Sequence, residues 1–301
     1  MNDQRKSEKV VYVLAILVIV IAVICSIVPL VTKSEIADKN ILSTFGTEVT
    51  LYGKGIYAMN SYSSAVQAIA QDMVTLILVV PGMIISLIMI RKKSILGEFI
   101  LTGLFGYMLY TYMSYAFLMF YNGIFLLYVF NMALSFYGFV LCIINLHRKS
   151  VINVIKDNMP TKGLQRFLIF CGVAIFLMWS GRIFQGLIQG TVPEGLDNCT
   201  TLVIQAMDLG FIVPACFVVA YLLKTKNKLG YILGPVIIVK AATLVTAVLA
   251  MGICMRIKAA GGSLAEIIIF GIMTILSYYY FVITMKKLML SVKLVNENGK
   301  N

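Results

Sequence analysis

The sequence predicts an all-α polytopic membrane protein of about eight transmembrane helices, on three observations. Hydrophobic residues make up 60% of the 301 positions and charged residues only 13%, whereas a soluble domain carries about 25% charged residues. Apolar stretches of about 20 residues recur along the chain, the length at which an α-helix crosses the hydrocarbon core while satisfying its own backbone. The net charge of +12 comes from basic residues clustered between those stretches. That arrangement sets topology and does not form a nucleic-acid-binding face.

The first stretch, 10–31, follows Arg5, Lys6 and Lys9. Its apolar run is longer than a signal-peptide core and Ser26–Val28 is a poor cleavage site, so it reads as a retained helix with Pro29 near its exit. Residues 1–9 form the N-terminal flank. Residues 32–69 form one sizeable segment outside the membrane. Within it, Leu51–Tyr57 carries Gly53 and Gly55 between aromatics and reads as a short hairpin or interfacial loop. Ser61 or Ser63 can cap a helix that runs directly into the next span.

Residues 70–287 read as a seven-helix bundle with spans at 70–90, 96–119, 123–146, 166–188, 201–223, 230–253 and 264–285, followed by a tail at 288–301. Only Tyr121–Gly123 separates the third and fourth spans, which predicts a tight antiparallel hairpin. No internal repeat is legible.

Alternate connections carry Arg91–Lys93, then Arg148, Lys149, Lys156, Lys162 and Arg166, then Lys224, Lys226 and Lys228, then Lys286 and Lys287 with Lys293 and Lys300 of the tail. The opposite side has Lys33, Lys39, Lys54, Arg256 and Lys258, mixed with Glu35, Asp38, Glu48, Glu194 and Asp197. The positive-inside rule therefore places both termini in the cytoplasm and the chain in the cytoplasmic membrane.

Cys25, Cys142, Cys171 and Cys216 sit in apolar runs, as small hydrophobes do. Cys199 lies in an outer loop and Cys254 near the outer end of its helix, so a disulfide between them is open. Asn198–Thr200 fits a glycosylation triplet close to the membrane. The single histidine, His147, stands beside Arg148 at a helix end. No HExxH, paired-aspartate, GxSxG or Walker motif occurs, which argues against intramembrane metalloenzymes and most hydrolases; no cofactor and no metal is expected.

Charges within or at the edge of spans carry the most functional information, because each costs about 2.5–3.5 kcal/mol at mid-bilayer on insertion scales. They are Asp72, Arg182, Asp208 and Lys240. Gln67, Gln71 and Thr75 recur every fourth residue beside Asp72. Trp179, Arg182, Gln185 and Gln189 share a face, as do Gln205 with Asp208 and Lys240 with Thr243. Depth at about 1.5 Å per residue puts Asp208 about 10 Å, Arg182 about 9 Å and Asp72 about 3 Å below the outer boundary, with Lys240 near the midplane.

The Cβ direction aims Lys240 inward, so meeting Asp208 requires its stem to swing the other way. Two readings stand: Lys240–Asp208 and Arg182–Asp72 are structural ion pairs, or these groups line an externally open cavity that binds a polar or ionic ligand. Tyr107 and Tyr110, deeper than the aromatic belt at Tyr115 and Tyr121, add hydroxyls or ring faces. Pro81, Pro214 and Pro235 kink their spans or serve packing. Glu98 is expected to pair with Arg91–Lys93.

Gln67–Ile90, Leu101–Phe117 and Met207–Leu244 together resemble segments of uncharacterised multi-pass membrane proteins of bacteria and archaea. The resemblance implies an integral-membrane protein of a prokaryotic cytoplasmic membrane and attaches no activity. The candidate ligand-binding set is Asp72, Arg182, Gln185, Gln205, Asp208, Lys240, Tyr107 and Tyr110. The expected function is a small-solute or ion transporter or permease; a sensor or binding protein for an external ligand and a membrane enzyme acting on lipid or quinone are the alternatives. Expected partners are membrane lipid, a small-molecule or ion ligand, and a protein partner or second copy, but no nucleic acid.

Overall fold

The computed structural model describes residues 2–149, 159–193 and 195–298. Lys156, Glu194 and Lys300, which entered the charge pattern, lie outside the described residues. The fold is all-α, 78% helical, and polytopic. Eight helices among the described residues are long and apolar enough to cross a membrane. They are α1 Asn2–Val31, α2 Tyr62–Arg91, α3 Ile95–Leu118, α4 Phe125–Arg148, α5 Thr161–Gln189, α6 Val203–Lys224, α7 Lys228–Ile257 and α8 Leu264–Asn298. Each corresponds to one of the apolar stretches, because the length and apolarity that make a stretch span also make it a helix.

α3 is the central helix, with 72% of its most apolar window buried, against 17% for α8 and 22% for α5. Elsewhere large apolar side chains point outward, Ile188 at 83% and Ile77 at 77% exposed among them. That is the surface of a protein solvated by hydrocarbon.

One end of the bundle carries an ordered cap. β1 Asn40–Leu42 and β2 Glu48–Thr50 form an antiparallel hairpin, followed by a 3-10 turn at Gly55–Tyr57. The hairpin therefore falls before Leu51–Tyr57, where the glycines suggested it. The turn at Gly46 (φ 77) closes it, while Gly53 (φ 77) and Gly55 (φ 58) fold the next segment back onto the bundle. Ser61 caps α2, accepting from Ser64 N–H at 3.2 Å and donating to Asp197 at 2.6 Å. α2 thus begins eight residues before the expected span. Asp72 consequently lies about 15 Å along the helix rather than near its edge. At the opposite, basic end Glu98 pairs with Lys149, which also reaches Glu8 at 3.5 Å. The expected pairing with Arg91–Lys93 is not made; Arg91 instead stacks over Tyr12. Cys199 and Cys254 are both free thiols.

Contrary to the sequence reading, two stretches of the chain repeat each other. α2 opens into a π-turn at Thr75–Val79 and resumes with Pro81 at its second position. α6 does the same at Asp208–Ile212, with Pro214. Both helices then end in a basic residue, Arg91 or Lys224, and turn through a left-handed lysine, Lys93 (φ 58) or Lys226 (φ 54). Both restart after Ser94 or Asn227, and set Gly97 or Gly230 against the backbone of the helix just left. The spacing is identical in the two stretches. The helices that follow, α3 and α7, run in parallel through the middle of the molecule and touch where Gly103 meets Val236 and Val239. Under this register Tyr107 corresponds to Lys240 and Thr75 to Asp208.

Candidate functional site

Two polar centres emerge where one was expected. Asp208 sits on the first residue of the α6 π-turn, which buries none of its five residues. Its carboxylate accepts from Tyr110 Oη at 2.7 Å and Trp179 Nε1 at 2.8 Å. Lys240 Nζ lies 4.7 Å from the centroid of the Tyr110 ring, a cation–π contact. The lysine stem passes over Gly106, whose missing side chain gives it room. It therefore extends away from the direction its Cβ sets and rises toward Asp208. No direct ion pair with Asp208 forms; among the described ion pairs none involves Lys240. Tyr110 stands between the two charges, giving its hydroxyl to the carboxylate and its ring face to the ammonium.

Arg182 lies beside this centre, its guanidinium 5.4 Å from the Trp179 ring centroid and paired with Glu266. The expected pair of Arg182 with Asp72 is not made, because the two residues belong to different centres. Glu266 also closes a reciprocal cap at the start of α8: Glu266 N–H donates to Ser263 Oγ and Ser263 N–H to Glu266 Oε2. An open cavity of about 440 Å³ lies at this end, lined by Arg256, Ala259, Gly261, Gly262, Ser263 and Glu266. Glu266 links it to Arg182.

Asp72 and Tyr107 belong elsewhere. Asp72 is buried, 1% exposed, and accepts from Tyr57 Oη at 2.8 Å and Tyr115 Oη at 2.9 Å. Below it Gln71 donates to Thr111 at 2.6 Å, and Thr75 and Tyr107 share a hydrogen bond at 3.2 Å. These bonds lock the α2 π-turn onto α3. Gln185 is exposed on α5 and Gln205 half-buried, and neither makes a side-chain hydrogen bond among the described residues. The candidate set thus resolves into Asp208, Lys240, Tyr110 and Arg182 on one side and Asp72 and Tyr107 on the other. Sequence reasoning missed Glu266, Tyr57 and Tyr115. Glu266 carried a legible signal, the Ser263-to-Glu266 spacing of a capping box; the other two carried none, since aromatic residues near a span end are ordinary.

No family model, curated protein or solved structure matches this chain.

Proposed function

We propose that this chain is a transporter or permease for a small polar solute or ion, with Asp208, Lys240, Tyr110 and Trp179 as its binding centre. The observation that carries the reading is Lys240: an ammonium held over the Tyr110 ring, in electrostatic reach of Asp208 but not in direct contact with it, and placed between helices of the two repeating stretches. Desolvating such a charge is costly unless a ligand or water compensates it. Transporters built from repeats commonly place substrate groups at the repeat interface, beside interrupted helices, and α6 is interrupted at Asp208. The ammonium suits an anionic group, Asp208 a donor, and the two aromatic rings the body between them. With the basic end in the cytoplasm, as the positive-inside rule requires, the centre faces the outside from a cytoplasmic membrane.

The test is a thermal-shift screen of detergent-purified protein against metabolites, ions and lipids, for wild type and Lys240→Ala. A ligand that stabilises wild type and not the variant, and that proteoliposomes take up only with Lys240 intact, supports the reading. Binding without uptake makes the chain a sensor or binding protein. No Lys240-dependent ligand, with a lowered melting temperature for the variant, makes the charges structural.

A further inference from the structure

We propose that the buried polar cluster around Asp72, contributed by α1, α2, α3 and α4, binds a small monovalent cation, with sodium as the probe. The inference stands on buried polar atoms that the protein itself leaves unpaired, and it does not rest on transport at Lys240.

Buried side-chain polar atoms are almost always hydrogen-bonded, and each exception asks for a cause, a bound ion or water among them. Among the described residues, most of the exceptions here gather in one place. Ser26 Oγ, Tyr112 Oη, Tyr128 Oη, Ser135 Oγ and both amide atoms of Asn131 have no partner. Ser26, Tyr112, Asn131 and Ser135 are 0% exposed and Tyr128 is 1%.

Their arrangement converges on Asp72. Ser26 faces its carboxylate, and Tyr112 faces both Ser26 and Asn131, with none of these pairs in hydrogen-bond geometry. The rings of Tyr112, Tyr115 and Tyr128 pack together with centroids 5.3–6.2 Å apart, so their hydroxyls belong to one cluster. Ser135 lies one turn beyond Asn131 on the same face of α4.

The donor set defines the ligand class. Apart from the Asn131 amide nitrogen, which is a hydrogen-bond donor and not a ligand, it is oxygen: one carboxyl, the hydroxyls of tyrosine and serine, and one amide carbonyl, the ligands of hard cations. Its one acidic group is a single carboxyl, and among the described residues no Lys, Arg or His forms an ion pair with it. Nor do any three of the described His, Cys, Asp and Glu gather that could hold a metal ion as charged or soft ligands, so the site is not built for a divalent or transition metal. When ionised, one carboxylate balanced by one monovalent cation leaves the cluster neutral. Tyr57 and Tyr115 take one lone pair from each Asp72 oxygen, aiming the carboxylate while leaving it able to coordinate.

The test measures binding to the purified full chain. Sodium chloride is exchanged for N-methylglucamine chloride at constant ionic strength and thermal unfolding is followed. Binding of radiolabelled sodium is measured in parallel by scintillation proximity. The expected result is a saturable, sodium-specific rise in melting temperature and saturable label. Asn131→Ala is expected to raise the half-saturating sodium concentration ~10-fold or more. Tyr112→Phe keeps the ring packing and serves as the milder variant, weakening sodium binding in the same direction. No saturable label in wild type overturns the proposal, as does an equal effect of potassium or N-methylglucamine. Sodium binding unchanged in both Asn131→Ala and Tyr112→Phe overturns it too.

Discussion

The two π-turns occupy equivalent places in the repeat and have opposite surroundings. In α2 the polar side of the turn is sealed, although Ile77 on its other side is exposed: Thr75 is bonded to Tyr107, Gln71 to Thr111, and Asp72 to two tyrosines, all buried. In α6 the turn is open, none of its residues is buried, and a Cβ added at Gly210 would meet nothing within 4 Å. Where the first stretch pairs neutral Thr75 with neutral Tyr107, the second sets charged Asp208 near charged Lys240. The same backbone device thus serves an element fixed by buried hydrogen bonds in one half and an outward-facing turn beside two charges in the other. A π-turn ahead of a proline weakens the helix where it occurs, and the neighbours decide whether that weakness is locked or free.

The two halves differ most at their aspartates. Asp72→Ala leaves two buried hydroxyls unpaired and opens a cavity, and is expected to cost about 3–5 kcal/mol. Asp208→Ala, in a half-buried setting, is expected to cost about 1–2 kcal/mol. Melting temperatures of the two variants in one detergent check the order; equal losses would erase the distinction between sealed and open.

Next is the contact that joins the stretches. A Cβ at Gly103 would collide with Val239 Cβ and sit 2.8 Å from the Val236 carbonyl. Gly103→Ala is therefore expected to lose about 1–3 kcal/mol through overpacking, read as a lower melting temperature and a smaller monodisperse fraction on size exclusion. A neutral outcome would mean that α3 and α7 do not meet there.

Lys240→Met keeps much of the stem and removes the charge. Its stability is expected to stay within about 1 kcal/mol of wild type or to rise, because no ion pair is broken, while ligand-dependent stabilisation is lost. Arg182→Gln is smaller still: the Arg182–Glu266 pair is about one-third exposed on both sides, and such pairs contribute about 0–1 kcal/mol.

The smallest effect lies in the cap. The Lys54 ammonium, 3.2 Å from Glu35, holds the Glu35 carboxyl below its ordinary 4.5, first by hydrogen bonding and then by charge, with Lys39 adding to it. A depressed carboxyl stabilises the fold above its ordinary value and loses that contribution as pH falls through the folded value. The difference in melting temperature between wild type and Glu35→Gln is therefore expected to shrink below about pH 4.

Why the repeat escaped the sequence reading follows from what it preserves. Pro81 and Pro214, Lys93 and Lys226, and Gly97 and Gly230 are identical, but most residues between them differ. What recurs is backbone: a π-turn, a left-handed lysine, a glycine against the previous helix. In a lipid-facing helix many apolar side chains serve equally well, so identity decays while geometry persists. The site was half legible for a related reason. Spacing put Asp208 and Gln205, or Lys240 and Thr243, on shared faces, but a face has no partner until helices are placed. Arg182 had one acceptor in reach by depth, Asp72, and another at the start of α8, Glu266; packing chose the second.

By itself the sequence determined the eight helices, the segment between the first two, a serine cap at Ser61 or Ser63 and the charges worth attention. Those are local properties, set by hydrophobic length, residue chemistry and periodicity. Tertiary structure alone decided that Asp72 and Asp208 belong to separate centres, that Lys240 rises past Gly106 to Tyr110, and that Ser26, Tyr112 and Tyr128 gather around one carboxyl. Each of these depends on which helix faces which, and in hydrocarbon that choice is made by close packing and hydrogen bonds between helices, since lipid tails solvate apolar faces as well as a neighbouring helix does.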